Sequence, residues 1–223
     1  MSERPARALV LASQNAHKIA EIAAMAQARG LALEVAPASA FGSPPEIAED
    51  ADSFVGNATK KAREIAAWLA TRGAPGDTLV LADDSGVSVD ALDGAPGIYS
   101  ARFAGEDADD AANNRKVVAE LRARGLEASP AHYTCALALV RVDGRPLAAA
   151  RGDLESFLGR WDGVLRAAAR GTGGFGYDPH VWLSWPGPSA RTVAELSRDE
   201  KAALSHRGQA MRLLFDALAR DIL

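Results

Sequence analysis

Two adjacent aspartates, Asp83 and Asp84, follow the apolar run Thr78-Leu79-Val80-Leu81-Ala82. A strand that runs into acids is one way an open α/β sheet presents ligand-binding groups outside the carboxyl ends of its strands. Side chains alternate along extended backbone, so only one of the two can readily face a given ligand. Taken alone, the pair reads first as turn or cap acids, and metal or acid–base work needs further support. The loop from Pro37 to Asp52 carries three prolines, Gly42 and the acids Glu46, Glu49, Asp50 and Asp52. Glu46, Glu49 or Asp50 would add a second hard oxygen, as magnesium takes one or two carboxylates together with waters and substrate phosphates. An exposed acidic loop is the alternative.

Two lysines supply the opposite charge. Lys18 comes early in an expected helix whose free N–H groups suit an anion. Lys61 lies seven residues after Phe54, at the edge of a helical apolar stripe. Such a lysine either snorkels to water or reaches toward a negative ligand. Downstream, Gly171 to Pro179 contains a GxGxxG string but leads into Pro179 and a strand-like run, which is the wrong context for a dinucleotide fingerprint. Phe175 in that loop suits stacking on a base, or plugging the core. His206 and Arg207 interrupt a helical pattern with directed donors able to read a purine oxygen, or form a solvated helix face. His17, His132 and His180 show no metal-ligand spacing.

The elements needed to position these residues follow from periodicity. Ala8–Ala12 reads as a strand, the polar turn Ser13-Gln14-Asn15 follows, and Lys18 to Gly30 is helical. Ala32–Ala36 is a candidate second strand. Ser53 caps a helix carrying Phe54, Ala58, Ala62, Ile65 and Leu69 on one face. Thr78–Ala82 is a buried strand, Gly86–Phe103 irregular, and Asp109–Arg124 helical. His132–Val142, the turn pair Asp143-Gly144 and Arg145–Phe157 form an expected antiparallel hairpin. Trp161–Leu165 is a candidate further strand, Val181–Trp185 a short one, and Ser197 to Leu223 mainly helical, opened by a Ser197/Glu200 capping box.

The chain has 223 residues, 48% of them hydrophobic, enough for one substantial globular unit. A net charge of -4 offers no basic surface to a nucleic-acid backbone. The single cysteine, Cys135, excludes an intrachain disulfide framework and fits a reducing, cytoplasmic setting. Neither a secretory signal in Met1–Leu11 nor an apolar run approaching a membrane span of roughly 20 residues is expected.

In order, Leu11 to Lys18, Ser53-Phe54-Val55-Gly56-Asn57-Ala58 through Lys61-Ala62, Ala82-Asp83-Asp84-Ser85-Gly86, Gly94 to Phe103, Gly171 to Pro179, and Ala203 to Gly208 resemble the inosine/xanthosine triphosphate pyrophosphatase family. The resemblance spans nearly the whole chain. It implies an α/β fold with a mixed central sheet in an elongated, two-lobed shape whose second half is hairpin-rich, forming a single domain over 1–223. It also implies hydrolysis of ITP, dITP or XTP to monophosphate and pyrophosphate, with Mg2+, by a homodimer that binds neither nucleic acid nor membrane. Carried over, Ser13, Gln14, Asn15, Ala16, His17, Lys18 and Lys61 would cradle the triphosphate. Asp84 would be proton acceptor and metal ligand beside Ser85, with Glu49 as the second metal ligand and Glu46 as the fallback. Phe175, Gly176, Tyr177, Asp178, Lys201, His206 and Arg207 would hold the base. Ser13-Gln14-Asn15 departs from the family's Thr-Gly-Asn, and Ala48-Glu49-Asp50-Ala51 from its Glu-Glu-Thr-Gly.

Overall fold

The computed structural model describes residues 6–13, 16–147, 153–183 and 190–221, with backbone alone at 16, 17, 220 and 221. Its strands are β1 (Arg7–Leu11), β2 (Leu33–Pro37), β3 (Leu79–Val89), β4 (Ala128–Arg141), β5 (Leu154–Arg166) and β6 (Val181–Trp182). They make one six-stranded sheet in the order β2-β1-β3-β4-β5-β6. The sheet is mixed: β1 runs parallel to both β2 and β3, with Leu9 opposite Leu79, whereas β5 and β6 are antiparallel. The helices are α1 (Ala16–Ala28), α2 (Phe54–Thr71), α3 (Asp110–Ala123), α4 (Arg198–Leu204) and α5 (His206–Asp221). Among the described residues no helix is long and apolar enough to cross a membrane.

The chain divides into two compact units. One is formed by Met1–Asp84, Ala136–Leu158 and Ala210–Leu223, the other by Ser85–Cys135 and Gly159–Gln209. Within the first, Ala58, Ala62, Ile65, Ala66 and Leu69 of α2 pack on Val10 of β1, Val80 and Ala82 of β3, and Ala136, Ala138 and Val140 of β4. The small alanines let helix and sheet approach closely, while burying Ile65 and Leu69 contributes about 1.5–3 kcal/mol each. Ser53 caps α2, its hydroxyl accepting from the Gly56 N–H at 3.2 Å. Ser53→Ala is expected to lower the unfolding free energy by about 1 kcal/mol, read as an earlier midpoint in urea with the slope unaltered.

The second unit has its own core, in which Val87, Val89, Val117, Leu121, Tyr133, Leu165, Tyr177 and Val193 meet. This core explains where the sequence reading falls short. The strand expected to stop at Ala82 runs on through both aspartates to Val89, because Val87 and Val89 have an apolar core to enter. Short 3-10 helices, Asp90–Leu92 and Gly97–Arg102, then replace the expected irregular stretch. Trp161–Leu165 is not a separate strand but the end of β5, and β4 begins at Ala128, ahead of the expected His132. The chain turns at Asp143-Gly144 as expected, the Gly144 N–H donating to Arg141 O at 3.1 Å. The strand expected over 181–185 is described to Trp182; Trp185 lies outside the described residues. The Ser197/Glu200 capping box opens α4.

Candidate active site

β3 sends its two aspartates to opposite faces. Val80 and Ala82 pack beneath α2, and Asp84 follows them by the two-residue period of a strand, while Asp83 continues the row of Leu79 and Leu81. Asp84 therefore meets α2, where Asn57 Nδ2 donates to Oδ2 at 3.2 Å and Lys61 Nζ to Oδ1 at 3.2 Å. Asn57 and Lys61 are four residues apart, so they stack on one helix face. Asp83 instead takes Lys18 Nζ of α1. Each aspartate thus has its own lysine, and both carboxylates are buried.

Lys61 resolves the choice its sequence position left open. Its side chain is only 11% exposed, and its ammonium is held by Glu49 Oε1 at 2.9 Å, Asp83 O at 2.9 Å and Asp84 Oδ1. Of the acids in the preceding loop, Glu49 is the one that shares Lys61 with Asp84. Glu46 is exposed, and Asp50 turns to Lys60 at 2.6 Å in an exposed pair of little energetic weight. Burial raises the Asp84 carboxyl above the ordinary aspartate value and the nearby Glu49 charge adds to it, against the opposing pull of Lys61 and Asn57. For Lys61 burial acts to lower the value, but Asp84, Glu49 and Asp83 outweigh it and the net shift is upward.

A hard divalent cation fits this donor chemistry. Two carboxylates converge on one ammonium, and Glu49 already disfavours ionisation of Asp84, a repulsion that a cation would relieve. Among the described residues no group of three or more His, Cys, Asp or Glu is placed to hold a metal. The remaining ligands would therefore be waters and substrate phosphate oxygens, the usual magnesium arrangement. Of the residues expected at the phosphates, Gln14 and Asn15 lie outside the described residues; Ser13 follows β1, and Ala16 and His17 are described as the first backbone positions of α1.

The residues expected to hold the base belong to the second unit. Phe175 has two cations near its ring, with Lys201 Nζ 4.1 Å and the Arg207 guanidinium carbon 5.7 Å from its ring centroid. Arg207, 1% exposed, also donates to Ser85 Oγ at 3.0 Å. Gly208 lets α5 start against α4, since a Cβ there would run into Ala202 O. Gly174, at φ +74°, is needed twice over: its backbone is left-handed and a Cβ would strike the Asp178 carboxylate. Asp178 is committed to the loop, Oδ2 accepting from the Phe175 N–H at 3.0 Å and from Lys201 at 2.7 Å. Tyr177 points into the core and donates to Ser100 O at 2.8 Å. Gly176 is gripped by α3, its N–H donating to Asp110 at 2.6 Å and its carbonyl accepting from Asn114 at 2.9 Å.

Three residues of this arrangement are given no role by the sequence. Asn57 stands in the Ser53 to Ala58 segment that carries the family resemblance, but its own role shows only in its four-residue spacing from Lys61. Asn114 is one half-buried polar residue of α3. Tyr133 sits on β4 among core residues, where alternation predicts nothing but packing, yet its hydroxyl donates to Asp178 Oδ1 at 3.0 Å and its ring stacks on His206, centroids 4.7 Å apart and planes 8° apart.

One unit thus carries adjacent strand acids paired with lysines of two helices, and the other an aromatic in a glycine loop with two cations near its ring, on a mixed α/β sheet. Comparison with known proteins places it further. The Ham1 family model matches residues 9–217, and the chain belongs to the Ham1 family. It is 43% identical over 210 residues to a dITP/XTP pyrophosphatase of Geobacter sulfurreducens, covering 94% of this chain and 96% of that one. A dITP/XTP pyrophosphatase of Streptomyces coelicolor is 41% identical over 206 residues, covering 92% and 94%. The structure of a HAM1 protein from Coxiella burnetii superposes with a TM-score of 0.80 at 38% identity, covering 96% of this chain and 99% of that chain.

Proposed function

We propose that this chain hydrolyses non-standard purine nucleoside triphosphates, ITP, dITP and XTP, to the monophosphate and pyrophosphate, as the names of its dITP/XTP pyrophosphatase relatives indicate for them. The observation that carries the reading is Asp84, a buried carboxylate of raised pKa held by Asn57 and Lys61 beside Glu49. A carboxylate whose pKa is raised holds a proton more readily than an ordinary aspartate, which suits it to accept one from water.

Water attacks the α-phosphorus and pyrophosphate leaves. Asp84 accepts the proton of that water. Lys18 and Lys61 stabilise the negative charge that develops on the phosphate oxygens. Magnesium, held by Glu49 and Asp84, would neutralise phosphate charge when bound. Ser13 and Lys18 bind the phosphates, and Ser85 stands next to Asp84 in the chain. Phe175 stacks on the base, Gly176 to Asp178 shape its loop, and Lys201, His206 and Arg207 surround it. The six-carbonyl of hypoxanthine or xanthine accepts a hydrogen bond that the adenine amino group cannot, and this selects the substrates. The enzyme is a cytoplasmic homodimer that clears deaminated purines from the nucleotide pool. It engages neither nucleic acid, in keeping with its net charge of -4, nor membrane.

Phosphate release from ITP, XTP, GTP, dUTP and ATP, measured with magnesium and a coupled pyrophosphatase, tests the assignment. ITP and XTP are expected to be turned over far faster than the other three. Preference for dUTP would instead mark a pyrimidine-directed enzyme, and binding without turnover a nucleotide-responsive regulator.

A further inference from the structure

Asp178 receives donors from three elements: Lys201 of α4, the Phe175 N–H of the glycine loop, and the Tyr133 hydroxyl of β4. The first two bonds fall on Oδ2 and the Tyr133 bond alone, of these three, on Oδ1. Tyr133 is 6% exposed, and burial, then the Asp178 charge, push its hydroxyl pKa well above the ordinary phenol range. The phenol therefore stays protonated and acts as a donor. The same ring carries His206 as a near-parallel stack. One side chain from the sheet thus fixes the carboxylate that orders the Phe175 loop and the imidazole next to Arg207.

We propose that Tyr133 is a positioning residue for base recognition, setting the loop of Phe175 through its hydroxyl and His206 through its ring. The inference rests on the nucleotide pyrophosphatase reading above and extends it to a residue that touches neither phosphate nor metal ligand. Its consequence is a separation of effects. Removing the hydroxyl leaves Asp178 Oδ1 without this donor in a buried site, which loosens the loop, while Asp84, Glu49 and Lys61 belong to the other unit and keep their bonds. Binding of the base weakens; chemistry on a bound substrate does not.

Tyr133→Phe in the full-length chain is the test, because it deletes the hydroxyl and keeps the stack. With ITP and magnesium, KM is expected to rise about tenfold with kcat within about twofold. Competitive inhibition by inorganic tripolyphosphate, which has phosphates and no base, is expected to be unaltered. Tyr133→Leu, losing the stack as well, should raise KM further in the same pattern. Thermal unfolding of both variants is followed in parallel. An unaltered KM in Tyr133→Phe, or a loss of tripolyphosphate inhibition and kcat along with KM, overturns the proposal, as does a Tyr133→Phe chain that no longer folds. A wild-type chain that does not turn over ITP overturns the pyrophosphatase reading itself, and with it this inference.

Discussion

Asp84→Asn is expected to lower kcat for ITP by about 10²- to 10⁴-fold, the usual contribution of a positioned general base, with nucleotide binding retained. The substitution is close to isosteric and keeps an oxygen for the Asn57 amide. Lys61 retains Glu49 and the Asp83 carbonyl as partners, so its ammonium is not stranded. Nor does the change remove a stabilising charge. An acid whose folded pKa lies above its unfolded value, as burial and Glu49 make that of Asp84, binds its proton more tightly when folded. Its ionised form therefore detracts from stability above the folded pKa, and that deficit disappears below the unfolded value. Lost turnover in Asp84→Asn therefore reports chemistry rather than unfolding, and full activity would remove Asp84 from the role of base.

The same shift sets the pH profile. A general base works only when deprotonated, so kcat/KM falls as pH drops through the folded pKa of Asp84. Burial and Glu49 raise that pKa and a bound cation would oppose them, so the acid limb is expected at higher pH when magnesium is scarce than when it is saturating. In Asp84→Asn the residual activity should lack this limb. A limb that survives there belongs to another group, with Glu49 as the first to examine.

What the sequence made legible of this site is its chemistry; what it hid is its wiring. Periodicity was sufficient for α2, because Ala58, Ala62, Ile65 and Leu69 repeat on one face and Ser53 is a strong cap. It failed at β3, where Asp83 and Asp84 look like the end of a strand, because the pull that continues the strand comes from Val87 and Val89 entering a second core. Alternation did foresee that the two aspartates would part company. It could not foresee that Asp83 would take Lys18 and Asp84 would take Lys61, since those pairings depend on which helix covers which face. Lys61 left both its options open for the same reason. Tyr133 was invisible, and Asn57 was present in a family segment without a role, because a residue that serves another side chain has no pattern of its own; only its partner's position in space reveals it. Tyr177 and Asp178 sit in a loop that reads as ligand-facing, yet the structure turns Tyr177 to Ser100 O and binds Asp178 to Phe175, Lys201 and Tyr133. Their side chains shape the loop, and the aromatic with cations near its ring is Phe175.

Arg207 tests the other half of the reading. It is almost fully buried, donates to Ser85 Oγ and lies near the Phe175 ring. In the proposed role at the base, a buried guanidinium would discriminate sharply, because a ligand that offers a donor where an acceptor is needed leaves the site unsatisfied. Arg207→Ala is therefore expected to narrow the ratio of kcat/KM for ITP over ATP by about 10²-fold or more, chiefly by weakening ITP. Truncating so large a buried side chain also leaves a cavity, so Arg207→Met is the companion variant: it keeps much of the volume and has no donor. The ratio of two substrates on one variant cancels losses in folded fraction, which makes it the quantity to measure. If both variants keep the wild-type ratio, Arg207 serves Ser85 and Phe175 structurally, and the reading of the six-carbonyl passes to His206 or Lys201. If Arg207→Met narrows the ratio as far as Arg207→Ala, the donor rather than the bulk of Arg207 is what separates the deaminated purines from ATP.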